Sequence, residues 1–409
     1  MASVLKTHSL KLFPAFRYKN YRIFFAAQII SLTGTWMQRV AQGYLVFQMT
    51  HSPFWVGAID AASNLPTTFL ALVGGTLVDR FPKKRILQIT QTLQLIFATI
   101  LGILVISGHI NLGTLAIMVF ILGLVNAVDQ PARISLPVDL VDDQYLHSAT
   151  ALNMSMFNSA RIVGPAIAGW LIYSVGIGWA FLLNGLSFVA PVIAFSFIKF
   201  APFIPKPHFG TWHAIKEGVS YAFHHEMIKF LLIYMAIIGI FGWSYSTMLP
   251  VIADRVFHQG ASGLGLLYSA AGVGTVIGAL SVSAYSRRFD SEKLIFFGGL
   301  LVSIALFMFT LHSIYILALI LLFMVGFGMA YQNSTLQAKV QTSVDDHIRG
   351  RVSSIQSLMM QGMTPIGSLQ IGIVAEHFGP QLAVRVGAVV IFMAAIVLFL
   401  KTPKSSLNK

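Results

Sequence analysis

The chain has no cysteine. That absence removes disulfides, a thiolate nucleophile and every cysteine-ligated metal site at once. Charge is nearly as scarce. Asp, Glu, Lys and Arg make up 10% of the 409 residues, where a soluble globular domain carries roughly 25%. With 56% hydrophobic residues and a mean hydropathy of +0.76, there is too little polar surface to wet the outside of a soluble fold. Lipid is therefore the solvent for most of it. Acids are the scarcest charge, 14 against 27 bases. In a soluble protein the resulting net charge of +13 points to nucleic acid. Here no basic groove with interleaved aromatics goes with it, and cytoplasmic loops of membrane proteins collect Lys and Arg. No G-x-x-x-x-G-K-[ST] loop occurs, so nucleotide hydrolysis does not drive the chain directly. The histidines are scattered, and the pair His224–His225 lacks zinc-site spacing. The expectation is no enzyme, no metal, no cofactor and no nucleic acid. The first apolar run is long and lacks a small-residue cleavage site, so it reads as a span and not as a cleavable leader.

What is present is a series of apolar runs, each near the 20 or so residues that a helix needs to cross a bilayer. They fall near 21–48, 53–78, 86–107, 112–130, 146–173 and 177–198, then near 229–252, 262–285, 293–311, 313–337, 352–376 and 381–400. The fold class expected is an all-α membrane protein with twelve transmembrane helices. Residues 1–198 and 229–409 would each form a six-helix bundle, joined by a cytoplasmic linker over 199–228. With the N-terminus inside, Lys and Arg fall in cytoplasmic segments, apart from Arg39, Arg161, Arg255 and Arg385. Both termini are then cytoplasmic. The linker is proline-rich (Pro202, Pro205, Pro207), and its stretch Trp212–Phe223 reads as an interfacial helix.

The two halves are related. Leu122–Gly176 lays on Val325–Gly379 without a gap. Val141-Asp142-Asp143 falls on Val344-Asp345-Asp346, and Gly123, Gly164, Gly169 and Gly176 fall on Gly326, Gly367, Gly372 and Gly379. Gly57, Arg80 and Phe81 match Gly265, Arg288 and Phe289. An even number of spans per copy makes the repeat parallel, which is an alternating-access transporter plan. No filter-like segment suggests a channel.

After the second span the chain reads GGTLVDRFPKKR over 74–85. Gly75, Leu77, Asp79, Arg80 and Arg85 fill G-x-L-x-D-R-x-x-x-[KR]-R, which resembles the loop motif of the major facilitator superfamily. The resemblance implies that Asp79 latches onto the N-terminus of the eleventh span, near Arg349 and Gly350, and onto a basic residue of the fourth, for which Arg133 is the candidate. A carboxylate at a helix N-terminus gains about 0.3–1 kcal/mol from the dipole. The second copy has Arg287 where the first has Asp79, which suggests one latch.

Three further stretches resemble the branch of that superfamily containing bacterial enterobactin exporters and drug-efflux carriers. They are Gly34-Thr35-Trp36-Met37-Gln38, Asp129-Gln130-Pro131-Ala132-Arg133 and the run from Arg161 to Gly169. The resemblance implies a secondary active transporter of the bacterial inner membrane, a monomer exporting a siderophore-like or amphipathic drug-like molecule against protons. A lipid or lysolipid flippase of the same fold, or a non-transporting receptor or scaffold, are the alternatives. Gly164, Pro165 and Gly169 resemble the fifth-span motif of proton-coupled antiporters. Physically, the proline bends that helix and the glycines permit close packing.

An ionisable group inside a span costs about 2.5–3.5 kcal/mol on insertion scales, so each needs a reason. Arg39 and Asp60 lie about equally far from the tip of the first hairpin, roughly 15 Å below it at 1.5 Å per residue. Paired, they would be a silent salt bridge or a switch in which Asp60 takes up a proton and releases Arg39. Asp129 is a third proton-coupling candidate, with a local pair to Arg133 as its plainer role. Arg161 would bind an anionic substrate or tie a neighbouring helix. Glu376 and Arg385 flank the last outer loop and are expected to pair across it. Drug antiporters of this type often carry an acid in the first span, whereas this chain has Gln38 and Gln42. Cavity candidates are Gln38, Gln42, Asn126, Asn153, Asn158, Arg161, Trp243, Tyr245, Tyr331, Gln332, Asn333 and Gln356, with Met359, Met360 and Met363 as adaptable surface. Amides and aromatics with few charges suit a large amphipathic solute.

Overall fold

A computed structural model describes residues 13–200, 220–221, 224–285, 289–345 and 348–401. Every regular element among them is helical. Helices α1 (Lys19–Thr50), α2 (Pro53–Arg80), α3 (Lys83–Ile106), α4 (Leu112–Ile134), α5 (Leu146–Val175) and α6 (Gly178–Phe197) come from the first half. Helices α7 (Glu226–Arg255), α8 (Gly260–Tyr285), α9 (Ser291–Phe309), α10 (Tyr315–Thr342), α11 (Arg349–Met360), α12 (Thr364–Phe378) and α13 (Pro380–Lys401) come from the second. A helix satisfies its own backbone, which is what hydrocarbon requires of a crossing segment. Large apolar side chains such as Phe69, Tyr173, Phe197, Ile316 and Leu400 accordingly point outward. The chain is a multi-pass membrane protein.

Eight helices among the described residues are long and apolar enough to cross a membrane, and α2 makes a ninth if its two apolar pieces, bent at a break before Gly74, count as one span. Three of the twelve expected runs fall outside that count for visible reasons. Helix α1 carries Arg22, Gln28, Gln38, Arg39 and Gln42, and α5 carries His147, Asn153, Asn158 and Arg161. The run near 352–376 is split into α11 and α12 around Gly362. The described residues thus form an all-helical fold.

The described helices form two compact units. Unit 1 takes the chain up to Ala41 and resumes at Phe69 for the rest of the first half. Unit 2 takes Gln42–Thr68 together with the second half. The first hairpin, made by the end of α1 and the start of α2, therefore packs with helices from the other copy of the repeat. Most of the linker lies outside the described residues, including the interfacial helix expected over 212–223 apart from Ser220 and Tyr221, which are helical. So do Arg287, Arg288 and Asp346.

The internal repeat is visible in the packing. In unit 1, a Cβ at Gly164 of α5 would stand 2.7 Å from the Thr33 carbonyl oxygen of α1. In unit 2, a Cβ at the matching Gly367 of α12 would stand 2.2 Å from the Ile240 carbonyl oxygen of α7. Small residues let helix backbones touch where no hydrophobic force drives them together. Each unit also ties a helix start to the region where the next helix ends, in unit 1 to a short helical turn just beyond it, by an ion pair with the polarity exchanged. Lys83 Nζ meets Asp139 at 2.8 Å in unit 1, and Lys339 Nζ meets Glu292 at 2.8 Å in unit 2.

Candidate functional site

Three polar clusters stand out, one in unit 2 and two in unit 1. The first is where the hairpin docks on α7 and α12. Helix α2 begins at Pro53, so its first backbone N–H groups have no partner within the helix. Glu376, from the end of α12, supplies one. Its carboxylate accepts from the Phe54 N–H at 3.1 Å and from the Ser52 hydroxyl at 2.8 Å. A carboxylate at this end of a helix also meets the positive end of the dipole. One turn deeper, Gly57 lies flat on α12. A Cβ there would be 2.3 Å from the Ser368 carbonyl oxygen and 2.9 Å from the Gly372 Cα. That approach brings Asp60 against hydroxyls. Its Oδ2 accepts from Ser368 Oγ at 2.5 Å and from Thr247 Oγ1 at 3.2 Å, and the two hydroxyls are 3.3 Å apart. Asn64 donates to the Asp60 carbonyl oxygen at 2.9 Å. Farther out, the Arg255 guanidinium donates to the His51 carbonyl oxygen and lies over Phe47.

The chemistry of this cluster depends on one proton. As a carboxylate, Asp60 only accepts, and two hydroxyls serve it. As a carboxylic acid it gains a donor, and a proton placed on Oδ2, the oxygen that both hydroxyls share, would turn one of them away.

The second cluster is buried in unit 1. Asp129 is 1% exposed. Its Oδ1 accepts from Thr90 Oγ1 and Gln91 Nε2, both at 2.7 Å, and its Oδ2 is 3.2 Å from Arg133 Nε. Spacing i, i+4 on α4 places the arginine over the acid. Nearby, Gly74 and not Gly75 is the glycine under steric demand. A Cβ at Gly74 would lie 2.2 Å from the Ala127 carbonyl oxygen, while Gly75 has open space. Asp79 is half-buried at the end of α2, with Arg80 and Arg85 exposed beside it. Below this cluster the entry to α1 is fastened by Arg17, which donates to the Tyr145 hydroxyl at 3.2 Å, and by Tyr18, which donates to Asp142. The Asp142 hydrogen bond raises the pKa of the Tyr18 hydroxyl.

The third cluster is at mid-helix in unit 1. Asn184 donates to Gln38 at 2.7 Å, and the guanidiniums of Arg39 and Arg161 both lie over the Trp36 indole. Pro165 and Gly169 are buried in α5, and Asn126, Asn153 and Asn158 are half-buried. In unit 2, Gln42 donates to Ser63 at 3.0 Å. Gln332 is fully buried, accepting from the Tyr234 hydroxyl at 2.9 Å, so it braces α10 against α7. Tyr331 stacks on Phe327 at 4.8 Å, and Tyr245 and Gln356 are buried. Trp243 follows a π-helical turn over Ile238–Gly242, and Asn333 is half-buried on α10. Among the described residues no group of three or more His, Asp or Glu is placed to hold a metal.

One expected pair is corrected. Glu376 and Arg385 do not join across the last outer loop. Arg385 donates to Thr310 through Nε at 3.1 Å and through a terminal nitrogen to the backbone at 3.3 Å, and Glu376 caps α2. Orphan N–H groups at a helix start offered the acid a better-placed partner than a flexible arginine. Thr247, Ser368 and Ser63 were missed altogether, because a serine or threonine in a span gives no signal beyond its ordinary use in helix packing.

A family model described as transmembrane secretion effector, within the major facilitator group, matches residues 11–408. The staphyloferrin A transporter of Staphylococcus aureus is 25% identical over 359 residues, 88% of this chain and 90% of that protein. The enterobactin exporter EntS of Escherichia coli O1:K1 is 24% identical over 384 residues, 90% of this chain and 86% of that one. Among solved structures, a bacterial homologue of the human lysosomal transporter Spinster, inward-facing and unoccupied, superposes with a TM-score of 0.75 at 14% identity, covering 93% of this chain and 97% of that one. A bacterial homologue of the iron transporter ferroportin, inward-facing, gives 0.74 at 16%, covering 94% and 98%. At such identities the structures speak for the fold alone.

Proposed function

The chain belongs to the transmembrane secretion effector family of the major facilitator superfamily, and from that premise we propose that it exports a siderophore-like molecule across the bacterial inner membrane against entering protons. It is a transporter and not an enzyme. In this reading twelve spans form two six-helix halves, with both termini cytoplasmic, and the halves alternate in access. The cargo class is supported by similarity over nearly the whole chain to carriers named for two siderophores. Asp79 serves as an inner-face latch toward the start of α11, and Arg133, held by Asp129, stands near it in the mechanism.

One observation carries the coupling. Asp60 sits within a helix run, and its carboxylate is met by the Ser368 and Thr247 hydroxyls from helices of the other repeat copy. A carboxylate at membrane depth is costly without a task. Here proton uptake changes its hydrogen-bonding and weakens the docking of the hairpin, so proton entry and outward opening become one event.

Proteoliposomes with an imposed pH gradient, loaded with enterobactin or staphyloferrin A, test this. A proton-dependent efflux is expected, and Asp60→Asn is expected to lower that component about tenfold or more while any gradient-independent leak persists. Efflux of neither siderophore by the unsubstituted protein removes the cargo reading. Unaltered proton dependence in Asp60→Asn removes Asp60 from the coupling.

A further inference from the structure

The start of α1, the start of α3 and the end of α6 meet at one corner of unit 1. The Asn20 side-chain amide donates to the Lys199 carbonyl oxygen at 3.1 Å. Lys84 Nζ donates to the Ser196 and Ile198 carbonyl oxygens, both at 3.4 Å, and lies 5.9 Å from the Phe200 ring centroid. A lysine at the end of a helix serves the last carbonyls, which have no partner within that helix. These contacts gather Lys84, Lys199 and, flanking Asn20 on α1, Lys19 and Arg22. Lys19, Arg22 and Lys199 are exposed.

Among the described residues none of these four cations has an acid within ion-pair distance, whereas Lys83 meets Asp139 and Lys293 meets Asp290, each at 2.8 Å. Asp142, in the loop before α5, is engaged by the Tyr18 hydroxyl. Like charges gathered without a counter-charge repel, so the corner gains from an anion that comes from outside the chain.

The depth of the corner says which anion. On α1 one exposed stripe runs Lys19, Arg22, Ala26 and Ile30, at spacings of three and four that keep to one face. On α6 Ile193 is 52% exposed and Phe197 71%, and Lys199 follows just beyond the helix end. Exposed apolar side chains along both helices meet lipid tails, and the cations begin where those side chains stop. Lys19 lies roughly 16 Å from Ile30 along the helix axis. That is the level at which an anionic lipid places its phosphate. Continuity of the apolar stripes with the cations favours an anion that carries acyl chains over a free one.

We propose that Lys19, Arg22, Lys84 and Lys199 form a site for the headgroup phosphate of an anionic phospholipid. Its place in the cytoplasmic leaflet rests on the orientation proposed above, whereas its chemistry rests on this geometry.

The test is lipid retention by the full-length protein in neutral detergent, read by native mass spectrometry after incubation with an equimolar mixture of phosphatidylglycerol and phosphatidylcholine. Phosphatidylglycerol is expected to be retained in preference, less so as salt rises. Lys19→Gln and Lys199→Gln, both at exposed positions, are each expected to lower the retained fraction about fivefold. Lys199→Arg, which keeps the charge, should restore it. Lys293→Gln removes a lysine that Asp290 already neutralises and should leave retention unaltered. The melting midpoint reports folding, and if one Gln variant fails to fold, the other decides. Equal retention of the two lipids overturns the proposal, as does undiminished retention in the Gln variants or displacement of the lipid by excess inorganic phosphate. Labelling of a Lys199→Cys variant in intact cells by a membrane-impermeant maleimide would end the proposed orientation and leave the site standing. Protection from that label together with charge-blind retention does the reverse.

Discussion

Asp129 shows what a single acid costs and returns inside a membrane protein. Buried to 1% exposure, it accepts from a hydroxyl and an amide through one oxygen and pairs with a guanidinium through the other. Breaking such a set by removing one partner leaves the others unpaired, which costs about 3–5 kcal/mol for a buried pair. Asp129→Ala is therefore expected to lower the melting midpoint of the detergent-solubilised protein strongly. Asp129→Asn is expected to do so less, since its carbonyl still accepts from Thr90. Equal midpoints for Asp129→Ala and the unsubstituted chain would mean that Arg133 has another counter-charge. Asp60 contrasts with it. Its partners are neutral hydroxyls and it is only half-buried, so its two protonation states differ in hydrogen bonding more than in charge pairing.

At the scale of elements, the first hairpin is fastened to α12 by three kinds of contact in sequence. Glu376 caps α2, Gly57 presses on the α12 backbone, and Asp60 takes its hydroxyls. The cap is the outermost and the easiest to remove. Loss of a helix cap costs about 0.5–2 kcal/mol, so Glu376→Ala should raise the undocked population of the hairpin without unfolding either unit. The absence of cysteine makes this measurable. In an Ile59→Cys background, where the native side chain is 2% exposed, maleimide labelling should quicken when Glu376→Ala is added and should stay slow with Glu376→Gln, which retains an acceptor. Equal labelling rates in all three would show that the cap does not hold the hairpin down. The assignment of this hairpin to unit 2 was not legible in the sequence. The apolar runs locate α1 and α2 well, but both belong to the first repeat copy by position, and only packing shows that their shared tip lodges with the second.

For the whole molecule, the duplication explains why the units look alike and why they are not interchangeable. Gly164 and Gly367 do the same packing task in the two copies, while the Lys83–Asp139 and Glu292–Lys339 pairs exchange polarity. The acid at Asp79 has no counterpart, since Arg287 holds the matching position. If Asp79 acts as the single inner latch, Asp79→Asn should lower transport in proteoliposomes about tenfold while the melting midpoint barely moves. A normal rate in that variant would reduce Asp79 to a topology determinant, and the exchange cycle would have to be held on the inner face by other residues.

Hydropathy and repeat are local or near-local properties, so the sequence by itself determined that lipid is the solvent, that the crossing segments are helices, that the halves are copies, and which positions carry costly charge. The partners of those charges are another matter. Glu376 goes to the start of α2, Arg385 to Thr310, and Arg161 to the indole of Trp36. Each of these choices depends on how far a helix turns and how closely two glycine-faced backbones approach, which involves residues far apart along the chain. Only the tertiary structure decided them, because in a membrane an apolar run specifies that a helix crosses but leaves its rotation to the packing of its neighbours.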